Sequence, residues 1–209
     1  TPPCTEAILK AGISKVVVAM KDPDPRVAGG GIKRLRDAGV EVISGILQKE
    51  AEQINRSFVF RVQTGRPWGV LKWAMSIDGR TALPNGESKW ISGNRARELV
   101  YKIRANSDAV IVGGGTVRLD NPLLTSRGLS NPEPFRVVFT RSCDLPSQSL
   151  LWDTSLARTF VAYGAEALKE NICKLPPGPE KLILNSSKPV DLMKSLALKG
   201  CNKVLWECG

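Results

Sequence analysis

The residues best suited to bind an anion are a glycine run with a threonine behind it, Gly113-Gly114-Gly115 and Thr116. The run directly follows residues 108–112, an apolar segment that predicts a buried strand. Glycines at the end of a strand allow backbone N–H groups to approach a phosphate closely. In an α/β sheet, ligands bind outside the carboxyl ends of the strands. The pattern therefore predicts an anionic ligand at this point, although a glycine run is also compatible with a plain turn.

Three predicted elements lead into this run. Residues 70–75 form an apolar run typical of a buried strand, interrupted by Lys72. Residues 76–79 predict a turn, because the Asp and Gly in this segment suit tight reversals. Over residues 94–104, apolar side chains recur at helical spacing with a polar opposite face. We therefore expect a strand, a turn and a helix ahead of the buried strand at 108–112.

The first third of the chain has an α/β pattern of its own. Residues 15–20 and 40–43 predict strands, with a helix between them that starts at a second glycine run, 29–31. Strand, helix and strand in this order imply a parallel pair with a right-handed crossover. Gly and Pro in the segment 64–67 predict a boundary between a first domain, 1–65, and a second, 66–209. The remaining predicted elements are helices at 5–11, 49–62 and 190–198, and strands at 136–140, 159–163 and 203–207.

Charge favours a small anionic ligand over a macromolecular one. The net charge is +10, from 30 Lys and Arg against 20 Asp and Glu. The basic residues are scattered among acidic ones, whereas nucleic-acid-binding chains cluster them in stripes or arms. Attraction of a nucleotide cofactor or a sugar phosphate therefore explains this positive charge better than nucleic-acid binding does. No apolar run approaches the roughly 20 residues that a membrane helix needs, so we expect neither nucleic acid nor membrane as a partner.

Two absences restrict the chemistry. The sequence contains no histidine, which excludes His-dependent triads and His general bases for this chain. Its five cysteines form no CxxC pair and no zinc-ligand spacing. An odd number of cysteines at irregular spacing predicts free thiols in a reducing compartment. The sequence therefore supports no metal site.

Several motifs resemble one known family. Its most specific motifs correspond to Gly86-Glu87-Ser88-Lys89-Trp90 and to residues 120–125, Asp-Asn-Pro-Leu-Leu-Thr. Residues 206–209, Trp-Glu-Cys-Gly, resemble the family's later cofactor strand, and residues 1–6 and 22–25 resemble the back half of its deaminase domain. The chain is thus similar to the riboflavin biosynthesis deaminase-reductases over nearly its whole length. The form of residues 74–86 is most similar to the plant reductase type, which acts in plastids.

The resemblance implies an α/β fold, with a dihydrofolate-reductase-like reductase domain preceded by the C-terminal part of a cytidine-deaminase-like domain. It implies reduction of the ribose carbonyl of 5-amino-6-(5-phosphoribosylamino)uracil, with NADPH as the hydride donor. Location would be the plastid stroma for the plant type and the cytoplasm otherwise, and a homodimer is compatible with the family. The implied NADPH contacts are Ala74, Trp90, Thr116, Asp120 and Gly209, and the implied substrate contacts are Ser88, Arg104, Leu124, Arg127 and Glu207.

Elementary chemistry agrees with several of these roles. Two arginines suit a ribose phosphate, because each offers a planar fork of donors. Hydride transfer develops negative charge on the carbonyl oxygen, so a nearby cation should stabilise the transition state. Lys72 is the candidate cation, and Glu207 could hold substrate hydroxyls or the lysine itself. Each of these residues also has a purely structural interpretation. Lys72 could be a lysine that reaches solvent from an edge strand, and Trp90 could be a core residue. Arg104 could complement the helix dipole, Asp120 could form an Asx cap, and Arg127 could be a solvated charge.

The sequence also departs from the family pattern. Only Cys4 occupies a deaminase zinc-ligand position, and one thiolate cannot hold zinc, so we expect no zinc, no deamination and a buried thiol at Cys4. Where the family usually has Val-Leu-Asp-Ser, residues 138–141 read Val-Phe-Thr-Arg. Arg136 and Arg141 could therefore meet the 2′-phosphate of NADPH.

Two further expectations concern the extent of the chain and its function. The chain starts without Met and stops before the turn expected to bind the cofactor pyrophosphate, which predicts a piece of a longer protein with weak NADPH binding and poor turnover. The alternatives to the reductase are a non-catalytic scaffold domain and a reductase of another pteridine-like substrate.

Overall fold

The structure is a computed structural model that describes residues 4–27, 29–88, 90–167 and 169–208. It divides the chain into two compact units, Thr1–Gly65 and Arg66–Gly209. The division falls within residues 64–67, where Gly and Pro interrupt the sequence pattern. Each unit contains a parallel sheet, so the predicted α/β class is confirmed. No helix in the described ranges is both long and apolar enough to span a membrane.

The first unit is built on a two-stranded parallel sheet. Strands β1 (Lys15–Val18) and β2 (Glu41–Ser44) pair in register from Lys15 opposite Glu41, which confirms the predicted parallel pair. Leu35, Val40 and Val42 form its buried core. The helices of this unit are α1 (Cys4–Lys10), α2 (Gly30–Asp37), α3 (Gln48–Ile54) and α4 (Arg56–Thr64).

Two sequence predictions for the first unit were wrong. The single helix expected at 49–62 is two helices that meet at Asn55. The side-chain amide of Asn55 donates to the Ala51 carbonyl at 2.9 Å, and such local bonds compete with the helical ladder. The strand expected at 15–20 ends at Val18, and Val17 is exposed because the core of this unit packs against the opposite face, which carries Val16 and Val18.

The second unit is organised around a parallel sheet whose strand order, among the described residues, is β3-β8-β4-β5-β6-β7. The strands are β3 (Trp68–Lys72), β4 (Ala109–Gly113), β5 (Phe135–Phe139), β6 (Thr159–Gly164), β7 (Glu180–Leu184) and β8 (Lys203–Glu207). The helices are α5 (Asn94–Ala105), α6 (Gly114–Asp120), α7 (Lys169–Cys173) and α8 (Pro189–Leu198), with a 3-10 turn at Leu150–Trp152.

Alternate residues of the central strands pack into two cores, as expected for a parallel sheet covered on both faces. One core contains Val110, Val112 and Leu205 with Ile103 of α5 and Val117 of α6. The other contains residues of the opposite parity, such as Ile111 and Val204, with Leu192 and Leu196 of α8. The residues of β8 with the parity of Leu205, including Glu207, therefore face α5 and α6.

Both edges of this sheet differ from the sequence predictions. The buried strand expected at 70–75 ends at Lys72, and Leu71, Trp73 and Met75 are exposed because β3 is an edge strand. Strand β7 was not predicted, since it starts with the charged pair Glu180 and Lys181 and only its last residue is buried. Strand β7 lacks the apolar run by which the central strands were identified, whereas β3 has one, interrupted by Lys72, although alternate residues of it are exposed.

None of the five cysteines, all of which lie in the described residues, forms a disulfide, in agreement with the predicted reduced state. Cys4 is exposed, so its predicted burial was wrong: it is the first residue of α1, a helix with no buried residue. Cys143 and Cys201 are buried, and burial raises the pKa of the Cys143 thiol to about 11.

The difference between exposed and buried cysteines predicts which thiols react in the native chain. At mildly alkaline pH we expect Cys4, Cys173 and Cys208 to react rapidly with a maleimide, because the nucleophile is the exposed thiolate. Cys143 and Cys201 should react only after denaturation. Mass spectrometry of the labelled native chain checks this, and rapid labelling of Cys143 would contradict the packing of the core.

Candidate functional site

A cavity of about 380 Å³ opens in the second unit, and its wall includes Lys72 of β3, Glu207 of β8 and Val112 of β4. Lys72 and Glu207 are the last residues of their strands. The cavity therefore lies where the sequence predicts a ligand, at the carboxyl ends of parallel strands. Ten of the candidate residues line it: Lys72, Ala74, Ser88, Trp90, Arg104, Thr116, Asp120, Leu124, Arg127 and Glu207. The eleventh, Gly209, lies outside the described residues.

Lys72 and Glu207 are brought together by strand register. They are direct partners in the parallel pair of β3 and β8, so their side chains project from the same face of the sheet. Lys72 Nζ lies 4.0 Å from Glu207 Oε2, and about 29% of the lysine side chain is exposed. The lysine is thus beside the carboxylate and still open to a ligand.

Arg104 is committed to Glu207. Its Nε donates to Oε1 at 2.6 Å and its Nη2 donates to Oε2 at 3.0 Å, which is a two-pronged ion pair. Nη1 donates to the Thr125 carbonyl at 2.9 Å. Both partners of this pair are nearly buried, so each depends on the other for compensation of its charge. The main role of Arg104 is therefore to orient the Glu207 carboxylate. Only the N–H groups of Arg104 that are not used in these three bonds can donate to a substrate.

Residues 121–127 form a cavity wall with an unusual backbone. Asn121, Leu124 and Arg127 have positive φ values of 43°, 57° and 59°, a region that non-glycine residues rarely occupy. Leu124 is also fully buried. Such conformations cost energy and persist only where the surroundings enforce them.

The enforcing contacts are polar. The Glu133 carboxylate accepts from the backbone N–H of Ser126 at 2.6 Å and from that of Gly128 at 3.0 Å. The Asn121 side-chain oxygen accepts from Ser149 Oγ at 2.8 Å and from the Leu150 N–H at 2.9 Å. These bonds hold the wall between Asp120 and Arg127 in one conformation.

Tyr101 is a cavity residue that the sequence reasoning missed. Its ring lies 5.7 Å from the guanidinium carbon of Arg104 and 5.7 Å from that of Arg127. The sequence contains a pattern that could have identified it: Tyr101 precedes Arg104 by three positions, so the two side chains lie on the same face of the helix. A single aromatic ring thus neighbours both arginines assigned to the substrate.

The glycine run lies where β4 passes directly into α6: Gly113 ends the strand and Gly114 begins the helix. Its predicted contact with an anionic ligand stays a prediction. A Cβ at Gly114 would lie 3.2 Å from Thr140 Oγ1 and 3.3 Å from Leu145 Cδ2, so Gly114 serves close packing. Helix α6 then presents Thr116 and Asp120, one turn apart, to the cavity.

Arg136 cannot meet a cofactor phosphate. It is completely buried in β5, and its guanidinium donates to Thr159 Oγ1 and to five backbone carbonyls. The hypothesis that it reads a 2′-phosphate was therefore wrong. Arg141 is exposed after the end of β5, and its proposed contact stays a prediction.

A comparison with protein families shows that residues 67–209 match the family described as the RibD C-terminal domain. The chain belongs to this family. The match covers all of the candidate residues, from Lys72 to Gly209, and thus the whole cavity.

Other members of the RibD family resemble the chain beyond this domain. A riboflavin biosynthesis protein RibD from Synechocystis is 45% identical over 210 residues, which is 100% of this chain and 57% of that protein. The chloroplastic riboflavin biosynthesis protein PYRR of Arabidopsis thaliana is 38% identical over 215 residues, 97% of this chain and 36% of the relative.

A solved structure from Thermotoga maritima, a diaminohydroxyphosphoribosylaminopyrimidine deaminase/5-amino-6-(5-phosphoribosylamino)uracil reductase, superposes with a TM-score of 0.82 at 34% identity. The match covers 99% of this chain and 57% of that one. The chain thus spans less than two thirds of these relatives.

Proposed function

We propose that the second unit is an NADPH-dependent reductase of the ribose carbonyl of 5-amino-6-(5-phosphoribosylamino)uracil. The observation that carries this proposal is the cluster of Lys72, Glu207 and Arg104 in the cavity wall. It offers one accessible ammonium beside a carboxylate that is already held by an arginine. The names of the relatives support the same reaction, since the Thermotoga maritima protein is named as this reductase.

The charges of the described cavity residues suit an anionic cofactor and an anionic substrate. Lys72, Arg97, Arg104 and Arg127 face two carboxylates, those of Asp120 and Glu207, which leaves a positive balance. Trp90 and Ile91 supply apolar surface for a ring. NADPH fits this donor set, and Ala74, Trp90, Thr116 and Asp120 are the residues that would hold it. When bound, the cofactor supplies the hydride.

The residues of the chain provide positioning and charge. The Lys72 ammonium donates a hydrogen bond to the carbonyl oxygen and stabilises its developing negative charge. Glu207, oriented by Arg104, accepts from substrate hydroxyls and keeps Lys72 in place. Arg127 is exposed and has no carboxylate partner among the described residues, so its guanidinium is available to the substrate phosphate.

The remaining assignments concern the whole protein. The first unit is proposed as the C-terminal part of a cytidine-deaminase-like domain, because the match to the Thermotoga maritima structure, which is named as a deaminase and reductase, covers 99% of this chain and so includes this unit. The absence of deaminase activity stays a prediction from the sequence, in which only Cys4 occupies a zinc-ligand position of the deaminase. The chloroplastic name of the Arabidopsis relative favours a plastid location, and a homodimer stays a prediction.

The direct test is NADPH oxidation by the chain, and by a version extended beyond Gly209, with the deaminated phosphoribosylaminouracil as substrate. Turnover by the extended version supports the proposal. NADPH binding without turnover would point to another carbonyl substrate, and dihydrofolate would be tested next. Neither binding nor turnover would favour a scaffold domain.

Arg127 provides a prediction about the substrate phosphate. We expect Arg127→Ala to raise KM for the phosphorylated substrate by about 10- to 100-fold, the loss of a charge-assisted bond worth roughly 1.5–3 kcal/mol. Steady-state kinetics with the dephosphorylated substrate should show little change. Arg95→Ala, an exposed arginine on α5 outside the cavity lining, is the control. An equal loss with both substrates would contradict the assignment.

A further inference from the structure

Arg97 contacts the tryptophan of the cavity in a well-defined geometry. Its guanidinium carbon lies 4.3 Å from the centroid of the Trp90 ring, well within the range of a cation–π contact. The indole itself is about 72% exposed, so the protein covers little of it. Both side chains line the cavity.

The guanidinium of Arg97 is also fixed by two hydrogen bonds. Nη1 donates to the Ser92 carbonyl at 2.6 Å, and Nη2 donates to the Asn94 side-chain oxygen. Ser92 belongs to the segment that carries Trp90, whereas Asn94 begins α5. Arg97 thus joins the tryptophan segment to a regular helix.

An exposed indole has no fixed orientation unless something holds it. Burial in a core would do so, but Trp90 lacks it, and the segment between β3 and α5 has no helix or strand in its described residues. A planar guanidinium that is itself bonded at two points can hold one face of the ring and leave the other open. Preorganisation of this kind lowers the entropy cost of binding a flat ligand.

We propose that Arg97 is a positioning residue that holds Trp90 ready for the cofactor. The inference rests on the proposed function, because it takes NADPH as the ligand of Trp90. Arg97 was absent from the residues that the family resemblance implied. It acts through the indole, so its effect should disappear when the indole is removed.

The test combines binding with a measurement that needs no cofactor. NADPH affinity of the whole chain would be measured by calorimetry for Arg97→Met, Trp90→Ala and the double variant. Arg95→Met is the matched control, with the same charge change on the same helix at an exposed position. In parallel, acrylamide quenching of Trp90 emission would be taken as the difference between each protein and its Trp90→Phe version.

We expect Arg97→Met to raise Kd for NADPH about 5- to 10-fold and to increase quenching of Trp90, while Arg95→Met changes neither. In the Trp90→Ala background, Arg97→Met should have almost no further effect. Arg97→Lys should restore only part of the affinity, since an ammonium lacks the planar fork. Thermal melts would establish that each variant is folded.

Other outcomes have distinct meanings. An additive loss in the double variant would overturn the proposal, because Arg97 would then contact the cofactor directly. Unchanged quenching in Arg97→Met would also overturn it. If the unmodified chain and its extended version bind no NADPH, the proposed function fails, and with it the cofactor role of Arg97, whereas the quenching result still decides whether Arg97 orders Trp90.

Discussion

Lys72→Ala should lower kcat of the proposed reductase reaction by about 100- to 1,000-fold and leave KM for NADPH nearly unchanged. The reason is that a preorganised cation opposite a developing oxyanion acts mainly in the transition state, and removal of one such group typically has this effect. The lysine is the last residue of β3 and is partly open to the cavity, which is compatible with this proposed role. Steady-state kinetics with saturating NADPH would measure the change.

The same substitution should have little effect on folding. Glu207 keeps its two-pronged pair with Arg104 when Lys72 is removed, so no buried charge loses its partner. We expect a thermal shift no larger than that of Lys102→Ala, an exposed lysine on α5. A kcat within about threefold of the unmodified protein would instead favour the simpler interpretation of Lys72, a lysine that reaches solvent from an edge strand.

The central strands could be predicted from the sequence because strands buried on both faces read as apolar runs. This held for β4, β5, β6 and β8, and it failed at the edges, where β3 is shorter than predicted and β7 starts with charged residues. An edge strand is defined by what lies beside it, which a local pattern does not contain.

The residues of the candidate site could likewise be predicted only in part from the sequence. The family resemblance identified nine of the described residues, and the charge argument for hydride transfer identified Lys72; the structure gathers all ten around one cavity. Arg97 and Tyr101 were missed, since each resembles an ordinary surface residue of an amphipathic helix until the tertiary structure supplies its neighbours. The partners of Arg104 were missed for the same reason, because Glu207 lies 103 positions away in the chain.

Arg136 is the clearest case in which the residue type misled. In sequence it is an arginine before an apolar run, and in the structure it is fully buried, with the carboxylates of Asp153 and Glu133 near enough to act on its charge. Burial lowers its pKa, because the charged form loses its water. Backbone carbonyls replace that water: Nη2 donates to Leu151, Asp153 and Ala157, and Nη1 donates to Leu123 and Leu150.

These five carbonyls belong to two separate segments of the chain, one that contains Leu123 and one at 150–157, and neither segment is a strand of the sheet. Leu123 is part of the cavity wall, and Leu150 also lines the cavity. Arg136 therefore joins the wall to the segment 150–157 and to Thr159 on β6. A methionine of similar length would fill the space and leave several buried carbonyls without donors, each at a cost of roughly 1–3 kcal/mol if water cannot reach it.

We therefore expect Arg136→Met to lower the free energy of unfolding by about 4 kcal/mol, which corresponds to a fall in Tm of roughly 10 °C for a unit of this size. Arg141→Met is the matched control, since Arg141 follows the same strand and is exposed, and it should shift Tm by no more than about 1 °C. Arg136→Lys should fall between them, because one ammonium cannot reach all the carbonyls. Calorimetry of the three variants checks the order. If the Tm of Arg136→Met equals that of Arg141→Met, the carbonyls are hydrogen-bonded to water or to other donors in the variant, and the buried arginine does not hold the cavity wall.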